Sequence, residues 1–355
     1  MILRMPEYCR DFTCIADKCQ DNCCCAGWEI DIDSETSEFY KSVSGEFGKR
    51  LSKNISYGDE ACIIPDKNGK CPFLNDGNLC DIIINLGGDK LCSICDRHPR
   101  FFEWYNGFAE GGTGLCCEES ARLILSYNGK FSVFDSETQD ESADNYDKDL
   151  FAFMYYAREK MFTYLYDNSL SFSERICGII DYADILQVQA DKGKFTAFEI
   201  KSNGKFENCD LNKIFDFLLT LESLNENWHF ELIKMKEKLD VISGLKKQFL
   251  KGFPEAVKYL KNIMGYFLWR YFLRGVFDEE FLSAVKFSAV STAVIGYIFA
   301  YKWYEKGRLD LESCIEAAKN YSKEIEYSVE NVNAFLDAAY YNEAFLSLRI
   351  KGLFN

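Results

Sequence analysis

The sequence predicts a mainly α-helical protein in which an irregular, cysteine-rich N-terminal domain precedes an all-α domain. Three observations predict it. Of the 16 cysteines, 13 lie in the first 117 residues and the other three are scattered singly. Beyond residue 148 apolar side chains recur at helical spacing almost throughout. No βαβ alternation and no internal repeat interrupts that pattern. With 355 residues the chain is long enough for about two domains at roughly 150 residues each. The expected layout is a cysteine-cluster domain over 1–130, an acidic linker over 131–147 and a helical domain over 148–355.

In order along the chain, residues 1–33 read as irregular. Asp33 and Ser34 then cap a helix through about Leu51, with Phe39, Val43 and Phe47 spaced four apart. Residues 58–118 return to short elements and turns such as Asn68-Gly69, Asp76-Gly77 and Asn106-Gly107. That stretch lacks long periodic runs that bury themselves, so bound metal is expected to replace a missing core. Glu119–Leu125 reads as a short helix. Glu137, Asp140, Glu141, Asp144 and Asp147 make the linker acidic and solvated. The helix over 148–167 carries Leu150, Phe153, Met154, Ala157, Met161 and Tyr164 on one face. Ser171 and Glu174 stand at capping-box spacing ahead of 174–190. Helices follow over 211–224 and 228–243, then from Pro254, and over 279–305, 310–326 and 330–346. The most apolar run, Phe287–Tyr304, is bracketed by Lys286 and Lys302, too close together for a membrane span; it reads as a buried helix, and no membrane partner is expected.

Composition excludes several classes. Hydrophobic residues at 48% and charged residues at 27% rule out wholesale disorder. A net charge of −15 repels phosphate backbones, so nucleic acid is not an expected partner. Dense cysteine implies either disulfides in an exported chain or metal in a reducing compartment. The opening MILRMPEYC offers no apolar signal stretch and no small-residue cleavage site, which points to the cytoplasm and to metal. Thiolates select zinc, copper(I) or iron–sulfur clusters, and four of them close a zinc site or hold one cluster.

The cysteines fall in four clusters: FTCIADKCQDNCCCAGWEIDID, CPFLNDGNLCDI, CDRHPRFF and LCCEESARLIL. In these stretches, in their order and in the later CIEAAKNYSKEIEYSVENVNAF, the chain resembles the flagellin lysine-N-methylase family. That family is an offshoot of a zinc- or iron-chelating cysteine-cluster superfamily with a CxxCxxCC-type signature. The resemblance implies eight metal ligands: Cys14, Cys19, Cys23, Cys24, Cys71, Cys80, Cys95 and Cys117. Cys9, Cys25, Cys62, Cys92 and Cys116 are extras, and His98 stands where the family has an aromatic, at Cys95-x2-His98 spacing. It further implies a 4Fe–4S cluster, with zinc as the alternative. The implied activity is methyl transfer from S-adenosylmethionine to lysine ε-amines of flagellin or another lysine-bearing surface protein. No residue stands out as the catalytic base among the 56 acidic side chains.

Two other readings stay open from the residues. One is an iron–sulfur or zinc protein that carries electrons, senses or chelates without methylating. The other is a structural zinc domain joined to a helical interaction domain. The run Glu110-Gly-Gly-Thr-Gly114 resembles a cofactor loop but lacks the βαβ setting, so it reads as a loop of the cysteine domain. Cys314 reads as a lone thiol on a helical face, with a nearly silent replacement.

Overall fold

Polar residues at the helix starts and apolar stripes along the helices account for most of the architecture. The computed structural model describes residues 1–58, 60–138, 145–196 and 198–355. It divides into two units. The cysteine unit takes Phe12–Phe101 with Cys117–Glu119. The helical unit takes Met1–Asp11, Phe102–Cys116 and Ser120–Asn355.

In chain order the first elements are β1 (Ile2–Pro6), β2 (Ile30–Ile32), α1 (Ser34–Ser42), α2 (Gly45–Asn54), β3 (Ile55–Tyr57) and β4 (Ala61–Ile63). Next come α3 (Asp81–Leu86), α4 (Ser93–Arg97), β5 (Arg100–Tyr105), β6 (Phe108–Thr113), α5 (Glu118–Ser126) and β7 (Val133–Glu137). The helices α6 (Lys148–Leu165), α7 (Phe172–Ala190), α8 (Leu211–Leu218), α9 (Glu226–Lys236) and α10 (Leu239–Gly252) follow. The chain ends with α11 (Glu255–Tyr271), α12 (Leu282–Lys306), α13 (Leu311–Glu326), α14 (Val329–Tyr341) and α15 (Ser347–Gly352). The fold is therefore mainly α, with a short-element cysteine region ahead of a helical one, as the sequence predicts.

The helical unit is organised by its caps and by one central helix. Ser171 and Glu174 form the reciprocal capping box expected at α7. Asp147, Asp210, Asp310 and Ser328 cap α6, α8, α13 and α14 through their side chains. Gly307, at φ +68°, closes α12 in the left-handed region that a side chain resists. Helix α12 has the length and apolarity of a membrane span, and 89% of its most apolar 18-residue window is buried inside the protein. The sequence takes Lys286 as an end of that apolar run. Instead Lys286 is buried within the helix, and its ammonium donates to the Ala339 carbonyl at 2.9 Å. Ser288 and Thr292 return their hydroxyls to the Ala284 and Ser288 carbonyls, which lets polar residues sit in an otherwise apolar core.

The four-stranded sheet of this unit, in the order β5-β6-β1-β7, is not legible in the sequence. Residues 2–6, expected to be irregular, run parallel to β6 and antiparallel to β7. The expected acidic linker contains β7, because the Arg4 guanidinium on β1 meets the Asp135 carboxylate at 2.8 and 3.0 Å. Charge that reads as solvated is thus answered across the sheet. Residues 139–144 of that stretch lie outside the described residues. The glycine run expected as a loop of the cysteine domain is part of β6 in the helical unit. It accepts a hydrogen bond from the Trp269 indole at the Gly111 carbonyl, 2.9 Å away.

Glu110 of the same strand forms a buried, two-pronged ion pair with Arg158 of α6 at 2.6 and 2.7 Å, their side chains 4% and 0% exposed. The guanidinium also lies over the Trp269 ring, 4.3 Å from its centre. Removing one charge from such a pair leaves the other desolvated and unanswered. Cys314 also differs from expectation: it is fully buried in α13, so a hydroxyl there costs about 1–3 kcal/mol instead of being silent.

The cysteine unit has more of a core than its sequence suggests. The antiparallel sheet β2-β4-β3 and helices α1 and α2 enclose Ile30, Tyr40, Leu51, Ile63, Phe73 and Ile82, with Cys71 and Cys92 among them. The single helix expected from Asp33 to Leu51 is broken at Val43, whose extended backbone leads into Gly45 at φ +78°. A side chain at Gly48 would stand 2.0 Å from the Val43 carbonyl, so the two helices can meet this closely only around glycine.

Urea unfolding monitored by tryptophan fluorescence will show Glu110→Gln destabilised by about 3–5 kcal/mol, and the paired change with Arg158→Met will recover much of that loss.

Candidate metal centre

Three short segments carry the thiols inward. The Cys71 amide donates to the Cys24 carbonyl at 2.7 Å, which fixes the first segment beside the second. From Cys71 the chain turns back on itself: the Leu74 amide donates to the Cys71 carbonyl at 3.0 Å, and the Asp81 amide to Phe73 at 2.8 Å. Leu74 and Cys80 pair as an isolated antiparallel bridge. Asn75 organises the turn by accepting from the Gly77 and Leu79 amides at 2.9 and 3.1 Å. Arg50 clamps both ends, reaching the Pro72 carbonyl and the Asp81 carboxylate at 2.6 Å each. Burial presses the Asp81 carboxyl upward, but hydrogen bonds from Arg50 and Asn75 outweigh it and hold the group below its ordinary range.

The third segment starts at Cys92, just ahead of α4. Asp33 caps α1 by accepting from the Thr36 amide at 2.9 Å. Its other oxygen takes the Ser93 amide and hydroxyl at 2.9 and 3.0 Å. Tyr40 donates its hydroxyl to the Lys90 carbonyl at 2.7 Å. These contacts fix the chain on either side of Cys92. Burial acts to raise the Asp33 carboxyl, yet the donors from Ser93 and Thr36 hold it at about 2.

Of the eight cysteines implied by the resemblance, the structure gathers Cys24, Cys71, Cys80 and Cys95 about the same apolar cluster. Cys92 lies inside the same cluster, and Cys23 adjoins Cys24 in the chain. The Cys23 contact, then burial, pushes the Cys24 thiol well up, and the fields of Cys71 and Cys80 add to it. The Cys92 contact does the same to Cys95. Burial raises Cys71 to about 11, with Cys80 contributing. Cys92, on the accepting side of its pair, falls to about 7. A soft cation would have to displace the thiol protons to bind.

The rest of the set is placed differently. Cys14 is exposed. The Cys19 thiol approaches the Glu118 carboxylate at 3.6 Å, and the same carboxylate accepts from the Gln20 amide at 2.9 Å. Cys117 is half-buried, next in the chain to Glu118. Among the extras, Cys25 is exposed, Cys62 points to Glu29 from β4, and Cys9 and Cys116 belong to the helical unit. The His98 amide ends α4 on the Ile94 carbonyl at 3.0 Å. Cys92 is the member of the gathering that the resemblance leaves out; its signal in the sequence is the Cys92-x2-Cys95 spacing.

Among the described residues no three Cys, His, Asp or Glu side chains stand ready around one point as metal ligands, so binding would require side-chain rotation. The donor chemistry nonetheless fits a thiophilic ion, because several thiols share one buried neighbourhood. A recess of about 10 Å³ beside Cys23, Cys24, Trp28 and Cys71 has room for one atom-sized occupant. S-adenosylmethionine finds no such fit at the glycine run, which is paired strand.

Asp33→Ala will lower stability by about 1–2 kcal/mol in urea unfolding of the full chain, whereas Asp33→Asn will keep most of the cap.

Comparison with known proteins gives this arrangement a context. Residues 158–349 match the model of the FliB lysine N-methylase C-terminal domain. The proteins named lysine-N-methylase from Salmonella choleraesuis and Salmonella typhimurium are each 29% identical over 129 residues, 34% of this chain and 32% of the relative. A Salmonella muenchen protein named flagellar biosynthetic protein FliU is 29% identical over 129 residues, 34% of this chain and 75% of the relative. The match thus spans about a third of the two lysine-N-methylases. No solved structure matches the chain. With more than half of its length under one family model, the chain belongs to the family that carries the FliB lysine N-methylase C-terminal domain.

Proposed function

We propose that the chain is a protein lysine N-methyltransferase of the cytoplasm that moves the methyl group of S-adenosylmethionine to lysine ε-amines of flagellin or a related surface protein. The observation that carries this reading is the family match over residues 158–349. The names of the relatives support it, and the flagellar name of one supports a flagellin-type substrate. In the reaction the amine nitrogen forms the new bond to the methyl carbon as the sulfur–carbon bond breaks. S-adenosylhomocysteine leaves, and the nitrogen gives up one proton. The amine must therefore arrive neutral, or lose a proton first.

The proposal includes a metal centre on the thiol cluster, either a 4Fe–4S cluster or zinc. Cys24, Cys71, Cys80 and Cys95 are the members of the resemblance set brought to one apolar neighbourhood, and they would hold it. Bound there, the group would cross-link the three thiol segments and, if iron–sulfur, add electron-transfer capacity. Arg50, Asp81 and Asp33 hold those segments in register whichever ion is present.

Incubation of anaerobically purified protein with labelled S-adenosylmethionine and the flagellin of its own host will place label on lysine. A metal-loaded protein that transfers none overturns the methylase reading. Iron, sulfide and zinc analysis of the same preparation will show Cys71→Ser and Cys95→Ser depleted of metal, with Cys25→Ser at the wild-type level. Equal metal in all three overturns the metal reading.

A further inference from the structure

We propose that the outer face of α14 is a docking surface for a lysine-bearing amphipathic helix of the protein that receives the methyl group. The inference rests on the methylase reading above and adds to it the place where the acceptor protein is held.

Helix α14 buries Val332, Phe335, Ala338 and Ala339, the one apolar side that a bundle helix needs. It carries a second. Val329, Leu336 and Tyr340 are spaced seven and four residues apart, so a 3.6-residue period sets them in one line on the outer side. Val329 is 67% exposed and Tyr340 58%, with Leu336 half-buried between them. Beside that line runs another, Glu330, Asp337 and Tyr341, at the same spacing, with Tyr341 80% exposed. From Val329 to Tyr340 the stripe is roughly 16 Å long at 1.5 Å per residue, three turns of helix. Single exposed apolar residues are ordinary, but an ordered apolar row beside a polar one is the form of a helix-binding face.

The acidic row gives the chemistry of the occupant. Helix α14 contains no lysine and no arginine. Among the described residues neither Glu330 nor Asp337 forms an ion pair; Glu330 takes the Ser328 hydroxyl at 3.3 Å. The ammonium groups of a partner would answer these charges, and the Tyr340 and Tyr341 rings offer cations their faces. A second copy of the chain, at net −15, would bring its own acidic row to the same contact. The face is also held from behind. Lys286 donates to the Ala339 carbonyl at 2.9 Å, and the Tyr340 and Tyr341 rings meet edge to face at 4.5 Å. Side chains fixed in this way lose less freedom on binding.

Full-length protein and monomeric flagellin of its host test the assignment through two readouts: Kd from fluorescence anisotropy of labelled flagellin, and KM and kcat for methyl transfer to unlabelled flagellin. The double change Tyr340→Ala and Tyr341→Ala is expected to raise Kd and KM by roughly tenfold and to leave kcat unchanged, because aromatic anchors carry most of the affinity of such faces. Asp337→Lys is expected to weaken binding at low salt and to flatten its dependence on salt. Tyr304→Ala, on α12 but 18 residues from Lys286, roughly 27 Å along the helix, keeps wild-type values. Wild-type Kd and KM in both α14 variants overturn the inference, as does flagellin that the wild-type protein fails to bind. A wild-type dimer that the double tyrosine change splits overturns it as well, since the face then belongs to a second copy. Binding that depends on α14 without methyl transfer sinks the methylase reading and leaves the docking surface standing; transfer with an unchanged KM in the variants does the reverse.

Discussion

A buried thiol carries either a proton or a cation, and the cysteine unit holds Cys71 and Cys92 inside one small apolar core with the half-buried Cys24, Cys80 and Cys95 packed against it. That constraint orders the rest of the unit. Isolated in such a place, a thiolate is costly, and burial raises the Cys71 thiol accordingly. Arg50 is spent on Asp81 and Pro72, and Asp33 on the Thr36 and Ser93 donors. Backbone position is thus secured by ordinary ion pairs and caps. Such a unit has an apolar core without an ion and gains cross-links with one.

The helical unit solves the same desolvation problem with fixed partners. Arg158 meets Glu110 two-pronged under Trp269, and Lys286 donates to Ala339 inside the bundle. Lys351 reaches Asp181 at 2.6 Å, with both side chains almost wholly buried. Each buried cation in these three contacts has a named acceptor in the fold itself. These pairs select one packing over others, because any slip leaves an ion unanswered in a low-dielectric interior.

What the sequence reveals depends on how local its cause is. Helices α6, α7, α11, α12, α13 and α14 are legible, because a stripe such as Val257, Leu260, Met264, Phe267 and Tyr271 repeats within one element. Capping is legible too, since Ser171 and Glu174 are three residues apart. The strands are not. β1 pairs with residues more than a hundred positions away, and the Arg4–Asp135 contact that makes an acidic stretch into β7 has no local trace. The cysteine set lies between these cases. The loop returning Cys80 to Cys71 announces itself through Asn75-Asp-Gly, whereas the place of Cys92 depends on Asp33, sixty residues earlier.

The part of the chain that carries the family match and the part that carries the thiols are built on separate cores. The helical core runs through Phe267, Phe287, Tyr321 and Phe335, whose rings meet edge to face at 4.9–6.4 Å. None of the clustered thiols contributes to it, since all of them belong to the other unit. An ion bound by the cysteine unit, as proposed above, would add cross-links there without touching those rings. Conversely, a defect at Glu110 or Arg158 strains the bundle while leaving the Arg50 clamp and the Asp33 anchor intact. The family match over residues 158–349 therefore rests on a core to which the clustered thiols contribute no side chain.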